Sequence, residues 1–560
     1  MLNPQIGKGL SPHLKTEPAG SAHLALSIPY ILEEIIKQLS NCERAVAARL
    51  SSQWHDIALG KLWKDLDSVL PLLKLISPLV GGGQTGSMIS FHHVPNDVKW
   101  NRFGSYACRV RSICWNDEEG IMCNEIFAQI FFHRPHTHPL LPNIEAITWF
   151  ASCENTLMQF LPMVCDTLKT LNLRIRARCP AKMVATALRG LDDRSVRLER
   201  LDIQAWFGVA DIEIPLVAHL CNQWELRTVG LPQYYGTKDI ITVLGNLPKL
   251  EALYTTTLLA EVEVGMKWEL GENSFSNLLS FGFNAPLMMA KYIFTCGSFS
   301  RLLTVSITTP PSSILTDSLE PFFVTLASCC PILSSIHLDL CQYPANVPVI
   351  AVRELASLFT LGHMEVMELD ARKPVVGIDR QFVSNIAVHW PMLRRLRLTP
   401  EPTEIPEGSG SPMTILRTFA EHFGTARHPL KSIGLYFSVN RDKLLDTRGI
   451  HTWTTLDAID VGTSRIEERD MLSVASFLGG ICRPGLMITA GRGYTKPPID
   501  HQGHSLYPDE GRIEERWMRT EQVLHIIHTF MSPLRYVLEV SDSEVIRTRA
   551  QIASLRTAQR

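Results

Sequence analysis

The most regular feature of the chain is a short apolar pattern that recurs along most of its length. Two apolar residues three positions apart are followed by a third two positions later, and neighbouring copies between residues 144 and 393 start 24 to 31 residues apart. One copy is common by chance, but thirteen in succession indicate an internal repeat. The copies are Val110-Ile113-Trp115, Ile144-Ile147-Trp149, Leu168-Leu171-Leu173, Leu198-Leu201-Ile203, Leu226-Val229-Leu231, Leu250-Leu253 with Thr255 in the third place, Leu278-Phe281-Phe283, Leu302-Val305-Ile307, Leu333-Ile336-Leu338, Met364-Met367-Leu369, Leu393-Leu396-Leu398, Leu430-Ile433-Leu435 and Leu456-Ile459-Val461.

Segments with helical spacing of apolar residues lie between these strand-like copies. Examples are ILTDSLEPFFVTLASCCP at 314–331, DIITVLGNLPKL at 239–250 and PMTILRTFAEHF at 412–423. Gly, Pro or Asn separates many of them, as turns require. Each unit is therefore a short strand plus a helix that is apolar on one side, and stacking of neighbouring units would bury that side.

The recurring pattern resembles the L-x-x-L-x-L core of the leucine-rich-repeat family over roughly residues 105–490. The Asn or Cys that the family places three residues past the last leucine is matched clearly once, at Cys341. The resemblance implies an α/β fold: an irregular solenoid with short parallel strands inside and helices outside. From the residues alone, a set of ordinary α/β domains with leucine-rich strands stays an alternative.

The stretch SIPYILEEIIKQLS at 27–40 predicts a short helix with a wide apolar stripe. We expect Ser27 to cap the helix and Pro29 to lie in its first turn. The segment 41–63 predicts a second amphipathic stretch, so residues 24–66 form a helical unit of about forty residues, small for independent stability. Its surplus apolar surface makes it a candidate for docking on a partner. The stripe consists of Ile28, Ile31, Leu32, Ile35, Ile36 and Leu39.

This N-terminal unit resembles an F-box. The family's opening Leu-Pro is matched by Ile28-Pro29, its V/L-S-x-x-W segment by LSSQW at 50–54, and its closing Leu-Trp by Leu62-Trp63. Ile31 stands where a glutamate is common in the family. The following segments KDLDSVLPLLKLI, YACRVRSICW and LLPNIEAITW resemble the F-box and leucine-rich-repeat proteins that are abundant in mushroom-forming fungi.

The F-box resemblance implies a Skp-type adaptor as partner, and through it a cullin and a ubiquitin-conjugating enzyme. Some of the matching residues would face the adaptor and the rest would pack the core of the module. The candidate adaptor-binding residues are Ile28, Pro29, Ile31, Leu32, Ile35, Ile36, Leu39, Leu50 and Trp54. The alternative is a helical cap on the first repeat, but a Gly/Ser-rich spacer favours a separate docking unit.

These patterns predict five segments. They are a disordered tail at 1–23, the F-box-like helical module at 24–77, a flexible linker at 78–104, the leucine-rich-repeat array at 105–490, and a loop with C-terminal capping helices at 491–560.

Composition narrows the class of protein. A chain of 560 residues with 45% apolar residues is several domains or a repeat array. The net charge of −2 argues against coating a polyanion, and 13 scattered cysteines indicate reduced thiols. We find no signal peptide and no apolar run long enough to span a membrane. We therefore expect a cytoplasmic or nuclear protein whose partners are neither nucleic acid nor membrane.

Three motifs that could carry chemistry are weak. GGGQTGS at 81–87 lacks the lysine of a phosphate-binding loop, and GRGYTK at 491–496 precedes no helix start. HRPHTH contains His133, His136 and His138 but no obvious fourth metal ligand. The sequence predicts no cofactor, no metal and no intrinsic enzyme activity.

Successive side chains of a strand point to opposite faces of the sheet. The residues next to the buried leucines therefore point away from the core, to a face where a partner could bind. On this face the sequence predicts ion pairs between the acidic Glu368 and Asp370 and the basic Arg395 and Arg397. The candidate substrate-binding residues are Arg174, Tyr254, His337, Glu368, Arg395, Arg397 and Tyr436.

The leading hypothesis is a substrate-recognition subunit of a Skp–cullin–F-box (SCF) ubiquitin ligase, with a protein substrate on the repeats. The competing hypothesis is a leucine-rich-repeat scaffold or sensor without a ubiquitin role. A hydrolase with an uncommon site is a third.

Overall fold

The chain forms two compact units in the computed structural model, Met1–Leu198 and Glu199–Arg560. The boundary falls inside the segment that the sequence predicts as one array. The structure describes residues 28–525 except 82–87, 95–96, 118–121, 123, 134–138, 177–178, 195, 235–236, 257–269, 310–318, 341–348, 372, 404, 407, 425–428, 445–451 and 492–513.

The first unit begins with helices and continues with strand–helix units. Its helices are α1 (Pro29–Gln38), α2 (Asn41–Ala47), α3 (Ser52–Leu62), α4 (Leu70–Ile76), α5 (Asp97–Ala107), α6 (Asn124–His133), α7 (Glu154–Met158) and α8 (Ala181–Asp192), with a 3-10 helix at Leu161–Met163. Its strands are β1 (Asp65–Leu66), β2 (Leu79–Val80), β3 (Ser90–Phe91), β4 (Ser112–Asn116), β5 (Ala146–Ala151) and β6 (Thr170–Ile175).

Four strands of this unit pair in parallel in the order β1-β4-β5-β6. The chain runs straight from α3 into β1, which adds a strand ahead of the first predicted repeat copy. The two short strands β2 and β3 pair antiparallel.

The second unit repeats the strand–helix pattern. Its strands are β7 (Arg200–Gln204), β8 (Thr228–Leu231), β9 (Ala252–Thr255), β10 (Ser280–Asn284), β11 (Thr304–Thr309), β12 (Ser335–Leu340), β13 (Ile350–Ala351), β14 (Val366–Ala371), β15 (Val375–Val376), β16 (Arg395–Leu398), β17 (Ser411–Pro412), β18 (Ser432–Leu435), β19 (Phe437–Ser438), β20 (Ala458–Gly462) and β21 (Met487–Ala490). Its helices are α9 (Glu213–Cys221), α10 (Lys238–Gly245), α11 (Leu287–Cys296), α12 (Glu320–Cys329), α13 (Arg380–His389), α14 (Ile415–Phe423), α15 (Arg441–Leu444), α16 (Met471–Ile481) and α17 (514–525), with 3-10 helices at Val209–Ile212, Val352–Thr360 and Glu468–Asp470.

Parallel pairing in sequence order builds the sheet of the second unit. The order is β7-β8-β9-β10-β11-β12-β14-β16-β18-β20-β21, and β13 pairs with β15 and β17 with β19 beside it. Side chains of the repeat copies alternate into the core in both units, and the apolar residues of the thirteen copies are at most 4% exposed. The predicted α/β leucine-rich-repeat architecture, with parallel strands and helices between them, is confirmed.

The predicted helix in each of the three example segments is present as α10, α12 and α14. In α14 the buried Ile415, Leu416, Phe419 and Phe423 lie on one side, because three- and four-residue spacings return to the same face of a helix. At the interrupted sixth copy, the side-chain hydroxyl of Thr255 is buried without a hydrogen-bond partner. The pattern missed β1 and β21, whose short apolar stretches match it incompletely.

Several expectations about the segments need correction or fall outside the described residues. The described part of the predicted linker 78–104 contains β2, β3 and most of α5, so this segment is partly regular structure. The N-cap of α1 is Ile28, whose side chain makes no capping hydrogen bond, while Pro29 does lie in the first turn. The expected tail at 1–23, the cap Ser27, Cys341 and most of 491–560 lie outside the described residues; α17 is the described part of the capping segment. In the part of the chain that is described, no helix has the length and apolarity needed to cross a membrane.

Candidate functional site

The N-terminal module consists of three short helices whose ends are held by side chains. Ser40 and Glu43 form a reciprocal capping box at the start of α2, and the Ser51 hydroxyl accepts a hydrogen bond from the Trp54 backbone at the start of α3. Because Ser51 starts a new helix, the single amphipathic segment predicted at 41–63 is two helices.

Arg44 of α2 closes the C-terminal end of α1. Its Nε donates to the Ile36 carbonyl oxygen at 3.0 Å and its Nη2 to the Lys37 carbonyl oxygen at 2.9 Å. Both carbonyl groups lie in the last turn of the helix, where carbonyls lack the usual partner four residues on; the Ile36 oxygen also accepts from the Leu39 amide. Across the module, Lys61 of α3 pairs with Glu33 of α1 at 2.7 Å. The three helices are thus fixed against each other by polar contacts as well as by packing.

The module has a small apolar core of its own. Ile36, Ala47, Ala48, Ala58 and Leu59 are buried together. The half-buried side chains packed against this cluster are Leu39, Trp54, Ile57, Leu62, Trp63 and Tyr106. Small alanines on α2 and α3 let the helices approach closely, which explains how so short a segment buries a core.

The structure divides the nine predicted adaptor-binding residues into three groups. Ile28, Pro29 and Leu50 are exposed, while Ile31, Ile35, Leu39 and Trp54 are partly buried. Leu32 and Ile36 are fully buried, so they belong to the matching residues that pack the core, and burial gives no support to their prediction as adaptor-binding residues. Their apolar spacing serves the core of the protein.

Exposed apolar side chains nevertheless remain on the module, and the sequence interpretation missed two of them. We call the four exposed side chains the apolar patch: Ile28 (47% exposed), Tyr30 (71%), Val46 (60%) and Leu50 (64%). Val46 lies at the end of α2 and Leu50 in the turn that follows it. Tyr30 and Val46 could have been recognised in the sequence as apolar residues that lie outside the buried stripe of their helices.

The same module is also joined to the first strand–helix unit. The rings of Trp63 and Tyr106 lie with centroids 4.6 Å apart, and Arg109 Nη2 pairs with Asp56 Oδ1 at 2.9 Å. Backbone amides of Arg111 and Ser112 donate to the Lys64 carbonyl oxygen. The module therefore also does what a cap does, because it covers the first edge of the sheet in its unit.

A second candidate surface is the face of the second unit's sheet that carries the non-leucine positions. Strand pairing aligns one residue from each strand into a row across this face. The row is Asp202, Gly230, Tyr254, Gly282, Ser306, His337, Glu368, Arg397, Gly434, Asp460 and Thr489. Two long side chains in this row each reach across a glycine to a carboxylate two strands away.

Tyr254 makes the first of these bridges. Its hydroxyl donates to Asp202 Oδ2 at 2.7 Å and accepts from Arg200 Nη2 at 3.0 Å. A Cβ on Gly230 would lie 2.6 Å from the tyrosine ring, so the bridge requires glycine there. Burial, together with the hydrogen bond to Asp202, raises the pKa of Tyr254 to about 12.

Arg397 makes the second bridge. It spans Gly434 to reach Asp460, with Nε donating to Oδ2 at 2.8 Å, and a Cβ on Gly434 would lie 2.9 Å from its Cγ. Its other nitrogens donate to Asp370 and, at 2.9 Å, to Glu401. One guanidinium thus faces three carboxylates. The predicted ion pair between Asp370 and Arg397 is confirmed.

Glu368 is held by two donors on neighbouring strands. His337 Nδ1 lies 2.7 Å from its Oε2 and Arg395 Nη1 lies 3.1 Å from its Oε1, which confirms the predicted pair of Glu368 and Arg395. The hydrogen bond from His337, with a further contribution from Arg395, lowers the pKa of Glu368 to about 2. This carboxylate is consequently anionic at neutral pH.

The substitution Glu368→Gln is expected to destabilise the protein by about 1 to 3 kcal/mol at pH 7, because it replaces a charge-assisted acceptor. Since the folded-state pKa of Glu368 is lowered from 4.5 to about 2, the stabilisation is present above pH 4.5 and is lost as the pH falls towards 2. Denaturant unfolding of both proteins between pH 7 and pH 3 measures this. A difference that stays constant with pH would contradict the assignment.

Two other predicted substrate-binding residues differ in exposure. Arg174 is exposed and its guanidinium lies 4.7 Å from the centroid of the Phe150 ring, in the first unit. Tyr436 is buried, so its prediction as a binding residue gains no support from exposure. It directly follows Leu435 at the end of β18, where the chain leaves the strand and alternation no longer applies.

The candidate metal and phosphate motifs gain no support. Within the described residues, no group of three or more potential metal ligands occurs. His133 ends α6, whereas His136, His138 and all but the first residue of GGGQTGS and of GRGYTK lie outside those residues.

Comparison with known proteins gives a likeness of fold only. No protein-family model and no curated protein matches the chain. An internalin (InlF) from Listeria monocytogenes is 11% identical over 60% of this chain and 83% of its own, with a TM-score of 0.30. TLR13 in complex with ssRNA13 is 14% identical over 70% of this chain and 51% of its own, with a TM-score of 0.31. The strand–helix units of the chain itself carry the α/β leucine-rich-repeat architecture.

Proposed function

We propose that this protein is a substrate receptor of an SCF-type ubiquitin ligase. The N-terminal module would bind a Skp-type adaptor, and the strand face of the repeats would bind a protein substrate. The observation that supports this most is the apolar patch of the module. A unit that already buries its own core keeps Ile28, Tyr30, Val46 and Leu50 at the surface, where another protein could cover them.

The mechanism of such a receptor is proximity. The chain would hold a substrate near a ubiquitin-conjugating enzyme and raise the effective concentration of its lysines, with no chemistry of its own. This agrees with a surface that carries ion pairs and hydrogen bonds along an open sheet face.

The substitution Leu50→Asp is expected to weaken binding of a purified Skp-type adaptor at least tenfold, because it places a charge in the apolar patch. Leu50 is already exposed, so the variant should fold like the wild type. Isothermal titration calorimetry with the full-length chain measures the affinity, and a thermal melt checks the fold.

Val388→Asp is the matched control, because Val388 is an exposed apolar residue on α13, outside the module. It should bind the adaptor with wild-type affinity. The proposal is wrong if the wild-type chain does not bind the adaptor, or if Leu50→Asp and Val388→Asp bind it equally well.

A leucine-rich-repeat scaffold or sensor without a ubiquitin role is the second candidate. It is favoured by the contacts that make the module a cap, namely the ring contact of Trp63 with Tyr106 and the ion pair of Asp56 with Arg109. A cap needs no adaptor. Failure of adaptor binding by a correctly folded wild-type chain would favour this candidate.

A further inference from the structure

The row across the strand face contains an open stretch beside Tyr254. Because the tyrosine leans over Gly230 towards Asp202, its ring does not cover Gly282 on its other side. A Cβ placed on Gly282 would have Tyr254 Cβ at 3.2 Å and Ser306 Cβ at 3.8 Å as its nearest side-chain atoms. We call Ser280, Gly282, Thr304 and Ser306 on β10 and β11 the trench, since none of these side chains is larger than threonine.

An unsatisfied acceptor lies at one end of the trench. Asn284 is on the same face as Gly282, because alternate residues of a strand point to the same side. It is 2% exposed, and its side-chain oxygen accepts no hydrogen bond. Leaving a buried acceptor unpaired costs about 1 to 3 kcal/mol, so a donor from a ligand would recover that cost.

Strand pairing puts Asn284 in line with two carboxylates. Its register partners on the next three strands are Thr308, Asp339 and Asp370. We call these four residues the acceptor row. At a strand spacing of about 4.8 Å the row is about 14 Å long, roughly the span of four residues of extended peptide.

Among the described side chains around the acceptor row, carboxylates outnumber guanidiniums. Arg397 faces Asp370, Glu401 and Asp460, and Arg395 faces Glu368. Burial, together with the nearby carboxylates of Asp339, Asp460 and Glu368, raises the pKa of Asp370 to about 6 despite its pairing with Arg397. This set of carboxylates favours a cationic ligand over an anionic one such as a nucleic acid.

We propose that the trench and the acceptor row bind an extended cationic segment of a protein partner. An arginine or lysine side chain would donate to the Asn284 oxygen and pair with the carboxylates of Asp339 and Asp370, while the peptide backbone lies over Gly282 and Ser306. This inference deepens the proposed function, because it gives the chemical class of the substrate segment that the receptor would take.

The test is fluorescence anisotropy with the full-length chain at about 0.15 M salt, where surface charges are partly screened. The probes are labelled twelve-residue peptides of glycine and serine that carry four arginines, four glutamines or four glutamates. The arginine peptide should bind at least tenfold more tightly than the other two. Equal binding of the arginine and glutamine peptides would overturn the inference.

Variants locate the binding. The double variant Asp339→Asn with Asp370→Asn, and separately Asn284→Leu, should each weaken the arginine peptide at least threefold. The control Asp211→Asn with Glu213→Gln removes two charges at the start of α9 instead and should leave binding unchanged. If the control loses as much affinity for the arginine peptide, the attraction is a general effect of charge. If the first two variants lose no affinity, the peptide binds elsewhere. Either result overturns the inference.

The cationic binding site and the ubiquitin role can be rejected independently of each other. Leu50→Asp should lose the adaptor and keep the arginine peptide. Loss of peptide discrimination with intact adaptor binding would reject only the cationic site, whereas a chain that binds the peptide but not the adaptor would reject only the ubiquitin role.

Discussion

Replacing Arg397 by methionine is expected to lower the free energy of unfolding by about 3 kcal/mol at pH 7. Methionine keeps the apolar stem but removes the charge that faces Asp370, Glu401 and Asp460. The Arg397 side chain is only 22% exposed, so water screens the three remaining carboxylates weakly. Removing one partner of a buried ion pair is costly because the other charge stays behind.

The destabilisation should depend on pH in a defined direction. Asp370 already has a pKa raised to about 6, and losing the guanidinium would make protonation of these carboxylates easier. As the pH falls from 7 to 5, protonation removes the unpaired charge, so the difference between Arg397→Met and the wild type should shrink. Chemical unfolding at several pH values measures it.

Arg394→Met is the matched control. Arg394 pairs with Glu365 at 3.4 Å and its side chain is more than half exposed, so its loss should cost less than 1 kcal/mol. Equal losses for the two arginines would mean that the cluster around Arg397 has no special energetic role.

The second large effect concerns the module. Leu32→Ala is expected to destabilise it by about 2 to 5 kcal/mol, because Leu32 is fully buried and the smaller side chain leaves a cavity. Leu50→Ala should change its stability by less than about 0.5 kcal/mol, because Leu50 is largely exposed. The two substitutions delete the same atoms, one set from a fully buried side chain and the other from a largely exposed one.

Hydrogen exchange followed by mass spectrometry reports on residues 28–66 without requiring the whole chain to unfold in one step. Faster exchange of this segment in Leu32→Ala, with an unchanged pattern in Leu50→Ala, is the expected result. Similar exchange in both variants would show that Leu32 does not support the module as its burial indicates.

The repeat architecture could be predicted from the sequence because each strand repeats the same local requirement. Leu171, Leu201 and Ile336 occupy equivalent places, and each is buried for the same reason. Alternation then predicted which neighbouring residues share the strand face. The register sets Glu368 opposite Arg397, and the ion pairs of Glu368 with Arg395 and of Asp370 with Arg397 are diagonal contacts between the same two strands. Periodicity and parallel pairing were sufficient to place these acidic and basic residues on adjacent strands, and the long side chains then select the partners.

Periodicity could not predict the orientation of the first helix. All six apolar residues of the stripe satisfy helical spacing, yet Leu32 and Ile36 are buried and Ile28 is exposed. Which part of a wide stripe faces inward depends on where α2 and α3 pack, and that depends on contacts distant in sequence. The split of the second segment at Ser51 is a local capping effect that the sequence did contain.

The two bridges across the strand face were also beyond sequence reasoning. Tyr254 and Asp202 are 52 residues apart, and Arg397 and Asp460 are 63 apart. Neither pair belongs to adjacent strands, so nearest-neighbour pairing does not suggest them. They depend on Gly230 and Gly434, whose lack of a side chain leaves the necessary passage.

The two bridges that cross Gly230 and Gly434 affect how the repeats can be rearranged. In an ideal solenoid each repeat contacts only its immediate neighbours, so adding or removing a repeat has little effect on the stability of the others. Here Tyr254 couples β9 to β7 and Arg397 couples β16 to β20, so deleting the repeat that carries Gly434 would also break the contact between its two neighbours. Unfolding that starts at β18 would therefore spread in both directions, and this part of the array should behave as one cooperative block of three repeats.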